Sequence, residues 1–350
     1  ALAYGQAVGV YLAFVVDKMA DYNSSMCSWR TSSGNIRSTF GRQAIPMVWT
    51  FAEGNPFSNV SGNFKAMLNG VAGSVERLGF DVPASVSQDN AVTMEHPQEV
   101  MVCTELPYYR DIGYADLSDF FYIWLRRSLK ETYPQMFIPM VTSKEELSTA
   151  STYYGTSKED AEKKYRADME IVCDKLYHSS SADYPALLFY CFRKNDLESM
   201  RHGNAGRNES AWEFMLESLL TVGFVVTAVW PMRSEPASEK ADSTRVLIVA
   251  RKGADRKSQV TRRSFINTLK RELPGRIQLL LTGHVSTEDE LLSCVGQGLR
   301  IFSQYQTVLN ADGSAMCVHD ALQVIYQECI NDIAQRNESA PDGDGATKED

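Results

Sequence analysis

Apolar residues recur at helical spacing over residues 3–22. Val8, Leu12, Val15, Val16 and Met19 stand roughly at i, i+4, i+7 and predict an amphipathic helix. A polar, serine-rich stretch follows from Asn23 to Ser38. Residues 43–52 turn apolar again, and Asn55-Pro56 stops any helix there, because a residue before proline is driven out of the α region. Met67–Leu78 reads as a short helix. Val100 to Cys103 is a short apolar run with the look of a buried strand, and Pro107, which has no N–H for a ladder, must end the pairing. Leu117–Leu129 puts Phe120, Phe121, Trp124, Leu125 and Leu129 on one helical face. Residues 143–174 carry 8 acids and 5 bases, the mark of a solvated helical insertion. Ala186–Phe192 is a second buried strand, and the polar, Gly-containing stretch Glu198–Asn208 reads as a loop. Trp212–Leu220 is a helix closed by Gly223. Val225–Trp230 and Arg245–Ala250 are strands, and the polar segment between them suits a hairpin.

Strand, helix, strand, helix and hairpin in that order predict an α/β fold, the second half of an open sheet. Four regions follow. Residues 1–99 are helical or irregular and flank a core at 100–253. Residues 254–336 are basic and then helical with Gly-containing turns, and 337–350, with 5 acids and 1 base, form a disordered acidic tail. No internal repeat is visible.

Composition narrows the function classes. A chain of 350 residues with 44% hydrophobic and 23% charged residues is globular, neither disordered nor fibrous. The net charge of −9 argues against blanket adhesion to nucleic acid. Yet residues 251–276 hold 9 bases and 2 acids, a local +7. With Arg262 and Arg263 at its centre, this run is the best phosphate-contacting surface in the sequence; a solvated helix face is the alternative. The 7 cysteines include no C-x-x-C pair, which speaks against a disulfide framework or a zinc ribbon and for a reducing, cytoplasmic setting. Cys103 and Cys191, in strands, are expected in the core. The five histidines show no metal-ligand spacing, so no metal is expected. The longest apolar run, Ala7–Val16, is too short to span a bilayer. The sequence opens with Ala inside a helix, so a piece of a longer protein is expected.

Chemistry concentrates where the 100–103 strand runs into Glu105-Leu106-Pro107-Tyr108-Tyr109. Ligands of open α/β sheets sit beyond the carboxyl ends of the strands. A carboxylate or amide and a nearby backbone carbonyl can accept hydrogen bonds from an exocyclic amine. An aromatic ring can stack on the base once it has left the duplex. On spacing alone, a strand that ends this way is more often just a loop packing on the sheet.

Thr104-Glu-Leu-Pro-Tyr-Tyr-Arg-Asp-Ile-Gly-Tyr-Ala-Asp-Leu-Ser-Asp-Phe-Phe-Tyr-Ile-Trp-Leu-Arg-Arg-Ser-Leu129 closely resembles the DUF1156-type adenine-specific DNA methylases. Blocks on either side resemble the same family: Ala20–Ser25, Phe40–Trp49, Asn55–Phe57, Trp212-Glu213, Gly223-Phe224, Trp230–Glu235, Phe302–Tyr305 and Asp312-Gly313. The resemblance implies a Rossmann-like methyltransferase sheet that uses S-adenosyl-L-methionine to methylate the exocyclic amine of a flipped adenine. It further implies double-stranded DNA as partner and a prokaryotic defence or modification system as context. In the family's terms Glu105 orients the amine, the Leu106 carbonyl takes its second hydrogen bond, Pro107 shapes the turn and Tyr108 stacks on the base, with Tyr109 beside it. Arg42 and Asn55 would line the site, a structural hydrogen bond being the alternative. Asp116 and Asp119 read as solvated or capping residues, and Trp230–Glu235 as bordering the site or packing.

Two departures stand out. The family's Asp-Pro-Pro-Tyr is Glu105-Leu106-Pro107-Tyr108 here, which moves the carboxylate by roughly 1.5 Å, and a misplacement near 1 Å can cost about a hundredfold in rate. Leu106 also restores an N–H and is expected to loosen a rigid turn. Secondly, the family's glycine-rich cofactor loop lies upstream and has no counterpart here. Gly296-Gln297-Gly298 does not replace it, since no strand precedes it. The expectation is a chain carrying the target-base half of the enzyme, with the cofactor half in an N-terminal segment. The alternatives are a non-catalytic DNA-binding or scaffold protein derived from that enzyme, and, on similar stacking chemistry, a protein amide methyltransferase.

Overall fold

The computed structural model describes residues 1–42, 44–79, 82–106, 113–144, 157–202, 210–232, 243–253, 256–280 and 287–339. The chain forms two compact units, residues 1–88 with 110–156 and residues 89–109 with 157–350. Residues 110–156, within the 100–253 core by sequence, therefore belong with the N-terminal region.

In the first unit, α1 (Leu2–Tyr22) packs against α2 (Phe64–Arg77) and α3 (Tyr114–Leu129). Ala13 of α1, Leu129 of α3 and Phe137 form a small core to which Val10, Tyr122 and Leu125 add. Phe40 packs on both Phe120 and Phe121, ring centroids 5.2 Å apart in each pair. The expected face of α3 splits: Leu129 is buried, but Trp124 is 39% exposed. Asp119 binds the segment after α3, accepting from Thr142 N at 2.8 Å and pairing with Lys144, which also reaches Asp116. Burial raises the Asp119 carboxyl, yet these donors outweigh it and hold it below the usual range. Inside the serine-rich stretch lies a hairpin, β1 (Ser28–Arg30) with β2 (Asn35–Arg37), turned by Gly34 at φ +63°.

The second unit is built on a mixed sheet of β3 (Cys103–Glu105), β4 (Ala186–Arg193), β5 (Phe224–Met232) and β6 (Ser243–Lys252), in the order β3-β4-β6-β5. β3 and β4 are parallel, and β6 runs antiparallel to both of its neighbours. The molecule is thus mixed α/β, with a hairpin closing the sheet. One face is dry: Leu188, Tyr190 and Phe192 alternate inward beside Val246, Ile248, Ala250, Phe224 and Val226. α4 (Lys158–Ser179), α5 (Lys194–His202) and α6 (Ala211–Thr221) follow in the same unit. Tyr165 of α4 packs on Phe214 of α6, and Tyr177 on Phe224.

Three expectations change here. α4 is not merely a solvated insertion, because Ala161, Tyr165, Met169, Val172, Cys173 and Leu176 form a buried stripe at helical spacing beneath its charges. Residues 198–202 are helical, as the end of α5, and the remainder of that loop lies outside the described residues. Strand β3 starts at Cys103, where Val100–Cys103 was expected, and Cys103 is exposed rather than in the core. Val100 only bridges to Ser180.

The C-terminal part comprises β7 (Val260–Thr261), α7 (Arg262–Leu280), α8 (Thr287–Ser303), β8 (Val308–Leu309) and α9 (Val318–Ser339). α8 is buried almost all round and lies on β5, the end strand of the sheet. A Cβ on Gly296 would stand 2.6 Å from Val229 N, and one on Gly298 would stand 2.2 Å from Ile325 Cγ2 of α9. Both glycines therefore permit close helix packing inside α8; neither makes a turn. The Ser303 hydroxyl donates to Val226 O at 3.2 Å. Covering an end strand in this way removes a template for edge pairing. Of the expected acidic tail, residues 340–350 lie outside the described residues, and α9 reaches Ser339.

Candidate functional site

β3 delivers Glu105 to the carboxyl end of the parallel pair, in register with Phe189 of β4. The Leu106 N–H then donates to Phe189 O at 3.3 Å, which carries the ladder one residue further, and its side chain is 2% exposed. The turn it was expected to loosen continues outside the described residues, so only Leu106 itself is placed. A ladder hydrogen bond and a buried isobutyl group hold it in place. Pro107, Tyr108 and Tyr109 lie outside the described residues.

Glu105 has a neighbour that sequence reasoning missed. Arg245 Nη2 stands 3.5 Å from its Oε1, with both side chains about half exposed at 54% and 50%. The reason is topological. β6 runs against the other strands, so its first residues lie beside the last residues of β3 and β4, and Arg245 registers with Cys191 and with Met232. At that exposure the pair contributes at most about 1 kcal/mol. Its main effect is on geometry: it leaves the carboxylate accessible but biased toward Arg245. The strand direction implied by the hairpin was the available signal.

The same end of the sheet carries Trp230, 40% exposed, and Met232, 44% exposed, at the close of β5. Pro231 is tolerated in this strand because β5 has only one neighbour. Residues 233–235 lie outside the described residues. Where β4 passes into α5, the Asp196 carboxylate accepts from Arg193 N at 2.9 Å. Burial pushes its carboxyl up to about 6 against the backbone hydrogen bonds from Arg193 and Trp212.

A second polar cluster was not foreseen. Glu213 is fully buried and closes a capping box with Ser210 at the start of α6. Its carboxylate also accepts from the Ser199 hydroxyl at 2.8 Å and faces His319 Nδ1 at 2.8 Å, while Gln323 Nε2 lies 2.8 Å from the other ring nitrogen. The serine meets the carboxylate and not the imidazole, so this is no nucleophile–base pair. It joins the starts of α6 and α9 to α5. The signal was in the sequence, as Ser210-x-x-Glu213 before an apolar run.

The remaining candidates are dispersed. Arg42 is exposed after β2 in the first unit. Asn55 takes the structural alternative: its Oδ1 accepts from Phe57 N at 3.0 Å and its carbonyl from the Ser58 hydroxyl at 2.7 Å, forming a local turn. Arg262 and Arg263 are exposed at the start of α7. α7 packs on α8, and α8 on β5, at the far end of the sheet from β3. Three interstrand steps correspond to about 14 Å. Most of the basic run has internal partners. Arg256 donates to Leu220 O and Phe224 O, Arg251 to Asp183 O and Lys252 to His178 O. Lys257 lies over the Tyr305 ring, Lys270 faces Glu328, and Arg271 and Arg276 share Glu272. Among the described residues, Arg262 and Arg263 are the bases of the run with no such role.

The described residues do not form a cradle for S-adenosyl-L-methionine. Among them, no strand passes through a Gly-x-Gly turn into a helix, and the space beside Gly296 and Gly298 is filled by Val229 and Ile325. Among the described residues there is also no cluster of His, Cys, Asp or Glu able to hold a metal, and no helix long and apolar enough to cross a membrane. No protein family, curated protein or solved structure matches this chain.

Proposed function

We propose that this chain is the target-base portion of a DNA adenine amino-methyltransferase with a Rossmann-like sheet, acting on double-stranded DNA in a prokaryotic modification system. The observation that carries the reading is the position of Glu105 and Leu106. An accessible carboxylate, followed by a buried leucine whose N–H continues the ladder, ends a parallel strand at the edge of the sheet, the end at which ligands of open α/β folds bind. The Glu105 carboxylate accepts a hydrogen bond from the exocyclic amine of an extruded adenine, and Arg245 orients that carboxylate. By the resemblance, the Leu106 carbonyl takes the second amine hydrogen and Tyr108 stacks on the base. The methyl group comes from S-adenosyl-L-methionine held by residues other than those described, and none of the steps assigned to this chain passes through it.

The test is methyl transfer from labelled cofactor to unmethylated duplex DNA, using the complete protein. Label in adenine, lost in Glu105→Ala, supports the reading; no label, with DNA binding retained, refutes it. One observation favours a second reading, a non-catalytic DNA-binding descendant: Glu105 already has Arg245 as a partner, and Leu106 is built into the sheet. That reading expects DNA binding indifferent to Glu105→Ala and no transfer from either form.

A further inference from the structure

The first unit holds a basic and aromatic surface that the target-base site does not use. Residues 22–75 contain four bases, Arg30, Arg37, Arg42 and Lys65, against one acid, Glu53, a net of +3 in a chain of −9. Three of the bases sit on or just after the β1–β2 hairpin. Its register pairs Ser28 with Arg37, Trp29 with Ile36 and Arg30 with Asn35. Directly opposed residues share a face, so Arg30 and Arg37 lie on one side and Trp29 and Ile36 on the other. The segment after Phe51 folds over the Trp29 side: Ala52 N donates to Cys27 O at 2.9 Å, and a Cβ on Gly54 would stand 2.4 Å from Ile36 Cδ1. The arginine side stays open, with Arg30 and Arg37 both exposed.

Large rings in this hairpin and in the segment after it stand in water. Trp29 is 54% exposed, Phe51 53%, Phe57 86% and Trp49 94%. Isolated exposed apolar residues are ordinary, but four exposed aromatic rings within thirty residues of sequence, interleaved with three exposed arginines, are a concentration that calls for a partner. Aromatic rings offer stacking planes that suit any base, and arginines offer forks that suit phosphate.

We propose that the β1–β2 hairpin, Arg42 and residues 47–57 bind an unpaired DNA strand, with arginines on phosphates and the exposed rings on bases. This inference rests on the DNA reading above but not on catalysis. Extruding a base from a duplex leaves unstacked nucleotides to be held, and a stacking surface with net positive charge supplies what they need. The run at 251–276 is a poorer candidate, since most of its bases already have partners within the protein.

The experiment is fluorescence anisotropy of the chain with a labelled mixed-sequence single strand, and with the same sequence as a duplex, across a salt series without cofactor. The single strand is expected to bind more tightly than the duplex. Trp49→Ala, at a side chain too exposed to support the fold, is expected to weaken it by about tenfold to a hundredfold. Arg30→Gln with Arg37→Gln is expected to make the slope of log affinity against log salt shallower by about 1.4, at roughly 0.7 per phosphate contact. Unchanged affinity and slope in both variants would overturn the proposal. So would absence of single-strand binding, or self-association that Trp49→Ala abolishes, which would assign the surface to a second copy of the chain. Failure of methyl transfer with intact, variant-sensitive binding refutes the enzymatic reading and leaves this one standing.

Discussion

Asp17 offers a sharp test of the packing of the first unit. It lies on α1 four residues after the buried Ala13, is 9% exposed, and has one carboxylate oxygen buried with no hydrogen-bond partner. Burial pushes its carboxyl from 3.8 up to about 7. A raised folded-state value means that the folded chain keeps a proton which the unfolded chain releases. The stability tied to that proton is fully present below pH 3.8 and is lost as the pH rises through about 7. A gap of about three units, at 1.36 kcal/mol each, sets an upper bound near 4 kcal/mol. Water still reaches part of the group and the helix can yield, so about 2 kcal/mol is the working figure. Asp17→Asn cannot ionise. It should match the parent in urea unfolding at about pH 4 and exceed it by about 2 kcal/mol at about pH 8. An equal difference at both pH values would refute the reasoning, because it would mean that the carboxylate is not charged against a dry environment in the folded chain.

Two further substitutions probe the site and its support. Leu106→Pro, which restores the family's residue, should not restore its turn: it deletes the ladder bond to Phe189 and a buried side chain, at a cost of about 3 kcal/mol in chemical denaturation. A variant as stable as the parent would show that Leu106 is not anchored. Gly298→Ala forces a Cβ to within 2.2 Å of Ile325 Cγ2 and should cost about 2 kcal/mol. Ile325→Ala in the same chain should recover part of that loss, and strict additivity of the two changes would contradict the α8–α9 contact.

The parts of the fold that could be read from sequence were those decided locally. α1 and α6 followed from helical periodicity, and β4, β5 and β6 from apolar runs of strand length flanked by turn residues. The hairpin β1–β2 was not legible, because Ser28–Arg37 lacks a clean alternation and is held by Gly34 and by the distant Ala52. The stripe on α4 was obscured because counting charges over 143–174 averages its two faces. Gly296 and Gly298 looked like turn residues, since only tertiary packing reveals which backbone must approach a glycine closely. The site divides in the same way. The position of Glu105 and Leu106 followed from the strand-end rule, whereas Arg245 depends on β6 entering antiparallel between β4 and β5, a pairing 140 residues away in the chain.

Methyl transfer by the complete protein is the most direct measurement of the proposed function. Labelled cofactor, unmethylated duplex DNA and the parent, Glu105→Ala and Glu105→Asp forms suffice. The predicted result is label on the exocyclic amine of adenine in the parent, none with Glu105→Ala, and more with Glu105→Asp, whose carboxylate stands roughly 1.5 Å further back, where the resemblance expects it. Duplex DNA bound by all three forms and labelled by none would contradict it.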